Sequence, residues 1–241
     1  MKIAIIGDGG WGTANALLLT GYGHEVSVWG ASADHVADIA RSRRNDRYLP
    51  GVELPPCIRW TADRATAVQD ADMVVLATPS KYFGDVCASF AGLVPPDKLA
   101  VSLTKGFCEK THARMSELAR TALGVSRVAV LSGPTHAEEV ARGIPTAIVA
   151  AADDLADARA VQDAWNGPAF RVYTSDDPVG VDVGTYSSPY AEPTRQHAVS
   201  VVSQDGRRLP RRRPERFWKI TVRADYEVDA LVAATNIAEV N

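Results

Sequence analysis

The sequence has few cysteines and no long uninterrupted stretch of apolar residues. Its three cysteines, Cys57, Cys87 and Cys108, are too few and too scattered for a disulfide framework or a zinc site. No run approaches the roughly 18 apolar residues that cross a bilayer, and the N-terminus has no signal-peptide pattern. We therefore expect a cytoplasmic protein with reduced thiols, no bound metal and no membrane partner.

Charge of neither sign is in large excess. The formal net charge is −3 and 23% of the residues are charged, which argues against broad attraction to nucleic acid. A cationic, proline-punctuated segment at 206–216 is the exception. Because this segment contains no interleaved aromatic residues, a solvated or poorly ordered segment is favoured over an RNA-binding one.

Short, apolar, β-branched runs alternate with amphipathic segments from residue 2 to about residue 175. This alternation is typical of a doubly wound α/β domain, in which helices cover both faces of a mostly parallel sheet. A loop at 45–51 interrupts it. Strands are expected at 2–7, 24–29, 58–60, 72–80 with the exit turn, 99–103, 128–131, 146–150 and 170–174. Helices are expected at 12–22, 33–43, 62–68, 81–90, 111–122, 135–141 and 155–165.

A glycine-rich turn, Gly7-Asp8-Gly9-Gly-Trp11-Gly12, joins the first strand to the first helix. The glycine spacing is that of the dinucleotide-binding fingerprint: Gly7 allows a tight turn, Gly9 lets the backbone approach a pyrophosphate, and Gly12 lets helix and strand pack closely. Trp11 is large enough to cover part of a cofactor. Asp8 is an unfavourable neighbour for a pyrophosphate unless its carboxylate points to solvent. The alternative is an ordinary strand-to-helix turn.

This order of strand, fingerprint and helix predicts a Rossmann-type dinucleotide-binding domain over residues 1–184. Beyond residue 184 the sequence pattern changes, and apolar residues no longer recur with the period of a helix or a strand. Residues 185–241 are expected to form an atypical, poorly ordered Arg/Pro-rich tail rather than a second domain.

The end of the second strand leaves the choice between NAD and NADP open. An acid near this point usually binds the ribose 2′-hydroxyl of NAD, and a cation accommodates the 2′-phosphate of NADP. This chain has Ala31 and Ser32 there. The nearby charged residues are expected to form a solvated helix face; they are Asp34, Arg41, Arg43 and Arg44.

Polar residues follow three later strands, at the sheet edge where ligands bind. The Ala-Thr-Pro-Ser turn at 77–80 would lie along the cofactor, and Lys105 would face the crevice as a cation for a phosphate or carbonyl. The segment from Ser132 to Thr135 is expected to open a helix and so form an anion site. His136 is a possible proton donor or a packing residue. Each feature has a structural alternative: the turn at 77–80 would be an ordinary proline turn, Lys105 a surface lysine and Thr135 a plain helix cap.

Together these residues resemble the bacterial NAD(P)-dependent glycerol-3-phosphate dehydrogenase family. The resemblance covers roughly the first three-quarters of the chain, in order and with family-like spacing. The Ser-Gly-Pro-Thr and Phe-Arg-Val-Tyr segments are specific to the family. The matching segments lie at 5–14, 47–51, 77–80, 104–106, 131–140 and 170–184.

The resemblance implies reversible hydride transfer between NAD(H) or NADP(H) and C2 of dihydroxyacetone phosphate, which gives sn-glycerol 3-phosphate for phospholipid synthesis. Besides the fingerprint glycines, the implied cofactor contacts are Gly10, Trp11, Lys105 and Ala137. The implied substrate contacts are Lys105, as the catalytic residue beside the substrate, Gly133 and Thr135. The alternatives are a non-catalytic dinucleotide-binding remnant or pseudoenzyme, and a related hydroxyacid reductase or ketoreductase.

The sequence departs from the family after Gly184. The family continues with a Gly-Ala-Leu-Lys-Asn segment whose lysine is the general acid/base, and Ser188 stands where that lysine should be. The family's helical C-terminal domain is not recognisable in 185–241, which suggests a reading-frame slip or a truncated gene. Because relatives dimerise through helical parts of that domain, the oligomeric state stays open.

Overall fold

A computed structural model describes residues 1–108 and 111–184. Ten strands and eight helices are seen there, in an alternating order that builds one large sheet and a small hairpin. The strands are β1 (Lys2–Ile6), β2 (Glu25–Trp29), β3 (Arg44–Asn45), β4 (Leu49–Glu53), β5 (Arg59–Thr61), β6 (Met73–Leu76), β7 (Leu99–Ser102), β8 (Arg127–Ser132), β9 (Thr146–Ala152) and β10 (Phe170–Ser175). The helices are α1 (Gly10–Gly21), α2 (Ala33–Ser42), α3 (Arg64–Val68), α4 (Ser80–Ser89), α5 (Met115–Leu123), α6 (Ala137–Ala141), α7 (Leu155–Trp165) and α8 (Pro178–Gly184).

The large sheet has eight strands in the order β10-β9-β8-β7-β6-β1-β2-β5. The chain winds outward from β1 in one direction through β2 and β5, and in the other through β6, β7 and β8. All neighbours on this path are parallel, and β8 pairs with β9 in antiparallel fashion. The order reverses beside β1, and a crevice at the carboxyl ends of strands is expected at such a switch point.

The central strands are buried on both faces because helices cover each side of the sheet. Along β1, Ile3 and Ile5 join one apolar cluster, and Ala4 and Ile6 join the other. This alternation follows from the two-residue period of a strand. The larger cluster contains the fully buried Trp165, whose indole Nε1 donates a hydrogen bond of 2.8 Å to Asn15 Oδ1. The polar edge of this large ring is thereby satisfied inside the core.

The predicted doubly wound, Rossmann-type sheet is confirmed. Two details of the prediction in the first part of the chain are wrong. Segment 45–51 is not only a loop, because β3 and β4 pair there as an antiparallel hairpin. The helix expected from residue 111 begins at Met115, where Glu117 accepts a hydrogen bond of 3.2 Å from the backbone N–H of Arg114 and fixes the first turn.

The last described helix was not foreseen. Helix α8 is held against α5 by Asp182, which accepts hydrogen bonds from the backbone N–H and the hydroxyl of Ser116 at 3.3 Å and 2.7 Å. No helix within 1–108 and 111–184 is long and apolar enough to cross a membrane. The predicted tail at 185–241, including Ser188, lies outside the described residues, so the division at residue 184 stays a prediction.

Candidate functional site

The glycine-rich turn between β1 and α1 is the centre of the site. Gly7 has a φ of +127°, and a Cβ there would come within 2.5 Å of the carbonyl oxygen of Ala77. A Cβ on Gly12 would overlap the carbonyl oxygen of Gly7. Both positions therefore require glycine for reasons internal to the fold. This packing draws β1, α1 and the turn after β6 together at one edge of the sheet.

Gly9 differs from its neighbours because it meets open space. A Cβ built on Gly9 has no heavy atom within 4 Å, and the backbone is extended, with φ −69° and ψ 177°. Any residue could adopt this conformation, so the fold itself does not require glycine here. The bare backbone of Gly9 therefore faces open space at the start of α1, and we call this space beside Gly9 the cradle.

The start of α1 suits a bound anion. This 12-residue helix has no acidic side chain in its first turn, and the Gly9 N-cap makes no side-chain capping bond. Amide N–H groups of a first helical turn have no acceptor within the helix, and the helix dipole adds partial positive charge. Together with the open face of Gly9, these groups fit a pyrophosphate, which needs N–H donors and close backbone approach.

The β3–β4 hairpin holds the glycine turn from the other side. A Cβ on Gly10 would lie 2.5 Å from the carbonyl oxygen of Tyr48, so this glycine is fixed by contact with the hairpin. Asn45, which is 1% exposed, donates hydrogen bonds to the carbonyl of Asp8 at 2.8 Å and to Thr13 Oγ1 at 2.7 Å. Sequence reasoning missed Asn45, because nothing local distinguishes it from other polar loop residues.

Trp11 and Ala137 lie beside the same turn. Trp11 is partly buried and packs on the larger apolar cluster, and Cβ of Ala137 is 3.7 Å from the position of a Cβ on Gly10. Helices α1 and α6 are therefore neighbours at the mouth of the crevice. Two of the cofactor contacts implied by the family resemblance are thus placed next to the glycine turn.

Lys105 lies after β7 and reaches toward the turn after β8. Its Nζ donates a hydrogen bond of 2.7 Å to the carbonyl of Gly133, and Thr135 Oγ1 is 3.4 Å from the same carbonyl oxygen. Burial lowers the pKa of Lys105, because the ammonium loses hydration. The three residues expected to contact substrate therefore form one cluster with a partly desolvated positive charge.

The expected helix opening at 132–135 is wrong. Helix α6 begins at Ala137, and His136 before it is extended, with φ −118° and ψ 137°. The helix has only five residues and carries Glu138 and Glu139 in its first turn, which already offset the helix dipole. Its N-terminus therefore gives no anion site. The positive charge on this side of the crevice comes from Lys105.

The turn after β6 borders the glycine turn, as expected for a segment along the cofactor. Its Thr78 carbonyl accepts a hydrogen bond of 2.7 Å from Thr104 Oγ1, which ties the loops after β6 and β7 together. The side-chain hydroxyls of Thr78 and Ser102 are buried and have no hydrogen-bond partner in the described part of the chain. Unsatisfied hydroxyls at the carboxyl ends of strands are suitable donors for a bound ligand.

The solvated helix face predicted after β2 is confirmed for Asp34 and Arg41 and wrong for the other two residues, because the half-buried Arg43 caps the end of α2 and Arg44 lies in β3. Ser32 caps α2 by accepting a hydrogen bond of 3.3 Å from the backbone N–H of His35, and Asp34 is exposed. Arg41 pairs with Asp38 at the surface. The sequence indicated that the Asp8 carboxylate would suit a pyrophosphate site only if it pointed to solvent. The Asp8 side chain is only 18% exposed, so the carboxylate does not simply point to solvent.

Metal ligands are not grouped in the described residues, where no three His, Cys, Asp or Glu side chains could hold an ion. Cys57 is exposed and Cys108 is half-buried. Cys87 is buried in the core, which raises the pKa of its thiol to about 12. A thiol with so high a pKa stays protonated and is a poor nucleophile.

The comparisons with known proteins agree with this geometry. A sequence profile of the N-terminus of NAD-dependent glycerol-3-phosphate dehydrogenase matches residues 2–158. The chain belongs to the NAD-dependent glycerol-3-phosphate dehydrogenase family. The family predicted from the residues is therefore confirmed, and so is the prediction of an NAD(P)-dependent dehydrogenase family. The dehydrogenase profile covers β1 through the first part of α7.

Individual relatives support the same assignment. The glycerol-3-phosphate dehydrogenase (NAD(P)+) of Xanthomonas euvesicatoria is 44% identical over 184 residues, which are 76% of this chain and 54% of the relative. That of Clostridium acetobutylicum is 40% identical over 182 residues, 76% of this chain and 55% of the relative. The crystal structure of the Coxiella burnetii enzyme superposes with a TM-score of 0.71 and 32% identity, covering 75% of this chain and 55% of that one.

The chain spans about half the length of the curated relatives that it matches. The names of those relatives include both NAD and NADP, in agreement with the predicted pair of cofactors. The matched half contains the glycine turn, Lys105 and the segment at 131–140. The roles of these residues in binding and catalysis are matters of proposal.

Proposed function

We propose that residues 1–184 form a dinucleotide-binding domain that holds NAD(H) or NADP(H) across the carboxyl ends of β1, β2 and β6. The observation that carries this proposal is the open cradle at Gly9. Gly7, Gly10 and Gly12 are each needed for contacts inside the fold, whereas Gly9 is glycine although nothing in the fold requires it. A bound pyrophosphate is the natural reason for a bare backbone at that point.

The proposed contacts follow the geometry of the turn. The backbone N–H groups at the start of α1, from Gly10 to Gly12, donate to the pyrophosphate, and Trp11 and Ala137 cover it from the α6 side. When bound, the nicotinamide supplies or accepts the hydride. The protein's part in this half of the site is to orient the coenzyme and to exclude water around it.

The proposed substrate is a small phosphorylated ketone or alcohol, the pair dihydroxyacetone phosphate and sn-glycerol 3-phosphate. Lys105 is the proposed substrate ligand, with its Nζ held 2.7 Å from the carbonyl of Gly133. An ammonium placed there attracts the phosphate or polarises the C2 carbonyl, and Thr135 lies within reach as a hydrogen-bond donor. The product would serve glycerophospholipid synthesis.

A second candidate is a dinucleotide-binding protein with little or no turnover. One observation favours it: Ser188 stands where the family resemblance expects the general-acid lysine. General acid catalysis contributes about 10²–10⁴-fold to rate, and a serine hydroxyl has no ammonium proton to give. Coenzyme binding is common to both candidates, so turnover separates them.

The test is an assay of coenzyme oxidation by the full chain with dihydroxyacetone phosphate, run with NADH and with NADPH. Measurable, saturable oxidation that disappears in Lys105→Met supports the dehydrogenase. Binding of coenzyme without oxidation supports the non-catalytic protein. Oxidation with a different 2-keto compound and none with dihydroxyacetone phosphate would contradict the proposed substrate.

A further inference from the structure

The end of β2 has an unusual neighbour. In dinucleotide-binding sheets this strand ends beside the adenosine ribose, and an acid at its end normally accepts a hydrogen bond from the 2′-hydroxyl. Here β2 ends at Trp29 and is followed by Gly30, Ala31 and Ser32. None of these residues has a side chain that could accept as a carboxylate does.

Asp8 of the glycine turn fills the place of the missing acid. A Cβ built on Gly30 would overlap the Asp8 carboxylate, with Cγ of Asp8 at 2.6 Å. The carboxylate thus occupies the space where the side chain of an acid at position 30 would begin. A side chain at position 30 would push the Asp8 carboxylate aside and would also meet Val36 Cγ2 at 2.6 Å, so the glycine leaves room for this arrangement.

The surroundings of the carboxylate leave it short of solvation. The Asp8 side chain is 18% exposed, and His35 Nε2 lies 3.9 Å from Oδ2. Burial raises the pKa of Asp8, although a hydrogen bond from its own backbone N–H and the charges of His35 and Arg47 act in the opposite direction. A partly exposed carboxylate with few water contacts gains from a hydroxyl donor placed over it.

We propose that Asp8 accepts a hydrogen bond from the 2′-hydroxyl of the adenosine ribose and thereby makes the site selective for NAD(H) over NADP(H). This assignment rests on the proposed coenzyme site and deepens it. A 2′-phosphate in the same position would bring a dianion against the Asp8 carboxylate, which costs binding free energy in a partly buried site.

The cations nearby do not reverse this preference. The Arg47 guanidinium lies 5.0 Å over the ring of Tyr48, and that ring packs edge-on against His35, with centroids 5.4 Å apart. His35 Nε2 lies 3.9 Å from Asp8 Oδ2, and the charge of Arg47 acts to lower the pKa of the same carboxyl, so Arg47 acts on the carboxylate itself. A 2′-phosphate would have to compete with the Asp8 carboxylate for Arg47, whereas a 2′-hydroxyl would not.

The test uses the full 241-residue chain and measures dissociation constants by quenching of tryptophan fluorescence at neutral pH and fixed salt. The ligands are NADH, NADPH, and NADH whose adenosine ribose lacks the 2′-hydroxyl. NADH is expected to bind at least about tenfold more tightly than NADPH, because hydrogen bonds to charged groups are strong. Removal of the 2′-hydroxyl is expected to weaken binding by about the same factor.

Two variants test whether Asp8 is the source of the selectivity for NADH over NADPH. Asp8→Asn keeps the shape of the side chain and removes its charge, so the ratio of the NADPH to NADH constants should fall to within about threefold of one. Asp34→Asn is the matched control, since Asp34 is the exposed acid nearest the end of β2, and it should leave the ratio unchanged.

Equal or tighter binding of NADPH by the unmodified chain would overturn the assignment, as would loss of selectivity in Asp34→Asn instead of Asp8→Asn. An unchanged constant for the 2′-deoxy coenzyme would also overturn it, without dependence on any variant. Failure of every coenzyme to bind the folded chain is a different result, because it would refute the proposed coenzyme site together with this inference.

Discussion

Replacement of Gly9 by alanine should strongly weaken coenzyme binding without unfolding the protein. The added methyl group meets no atom within 4 Å in the folded chain, and the backbone at residue 9 is in an extended region open to all residues. Alanine also restricts the unfolded chain, which stabilises a compatible site by about 0.4–1 kcal/mol. The melting temperature should therefore stay the same or rise by at most about 4 °C.

The effect on binding should be large because the methyl group enters the cradle itself. Hydrogen bonds to a charged phosphate are worth about 1.5–3 kcal/mol each. If the methyl group costs the pyrophosphate two amide donors, the loss is about 3–6 kcal/mol. Each 1.4 kcal/mol is a factor of ten in the dissociation constant, so the constant should rise at least about 100-fold.

The assay is a fluorescence titration with NADH, combined with thermal unfolding of each variant. Gly21→Ala is the matched control, since Gly21 also has open space where its Cβ would lie and stands at the other end of α1. It should bind as the unmodified chain does. Binding by Gly9→Ala within about threefold of that chain would refute the cradle, since an added methyl group there could not be tolerated beside a pyrophosphate.

Three further predictions concern other parts of the chain. Asn45→Ala removes the donor of Thr13 Oγ1 and leaves the Asp8 carbonyl with only the 3.4 Å bond from the Thr13 hydroxyl, so unfolding experiments should show a loss of about 1–3 kcal/mol. The exposed Asp46→Asn should cost under about 0.5 kcal/mol. In the folded chain the pKa of Lys105 is lowered from 10.5, so between the lowered pKa and 10.5 the unfolded chain binds more protons than the folded chain. The free energy of unfolding should therefore rise with pH across that window. Denaturation curves of Lys105→Met at the same pH values should not show the rise. Phosphate-substrate affinity should fall across the same window as the ammonium deprotonates, which isothermal titration calorimetry would measure. The single change Ser188→Lys should leave the rate of coenzyme oxidation within about tenfold of its starting value. The reason is the expectation that this chain differs from the family in more than the general-acid lysine. A gain in rate of about 10²-fold or more would contradict that expectation.

Sequence patterns were sufficient to predict the large sheet, because each of its central strands can be recognised from its own residues. The strands β1, β6 and β7 are buried on both faces and are apolar except at their ends, where Lys2 begins β1 and Ser102 ends β7. The glycine fingerprint is equally recognisable from a short stretch of sequence, and Gly12 is required by its contact with Gly7 inside the same turn. The contact of Gly7 with Ala77, by contrast, joins two segments that are distant in the sequence.

The parts that were not predicted depend on contacts between distant segments. Asn45 donates hydrogen bonds to Thr13 and Asp8, which lie 32 and 37 positions earlier in the sequence. The Asp8 carboxylate in turn lies against Gly30, which follows a different strand. No periodicity or turn motif encodes such pairings. The start of α6 was misjudged for a related reason, because a threonine followed by acidic residues is a typical helix opening and only the extended backbone of His136 excludes it.

The most direct measurement is a 15N-labelled NMR titration of the full chain with NADH, which reports on individual backbone amides. The account predicts that the amides of Gly9, Gly10, Trp11 and Gly12 shift first and saturably, with those around Lys105 shifting less. A folded chain whose amides in this turn stay unmoved up to millimolar NADH, or whose shifts cluster elsewhere, would contradict the account.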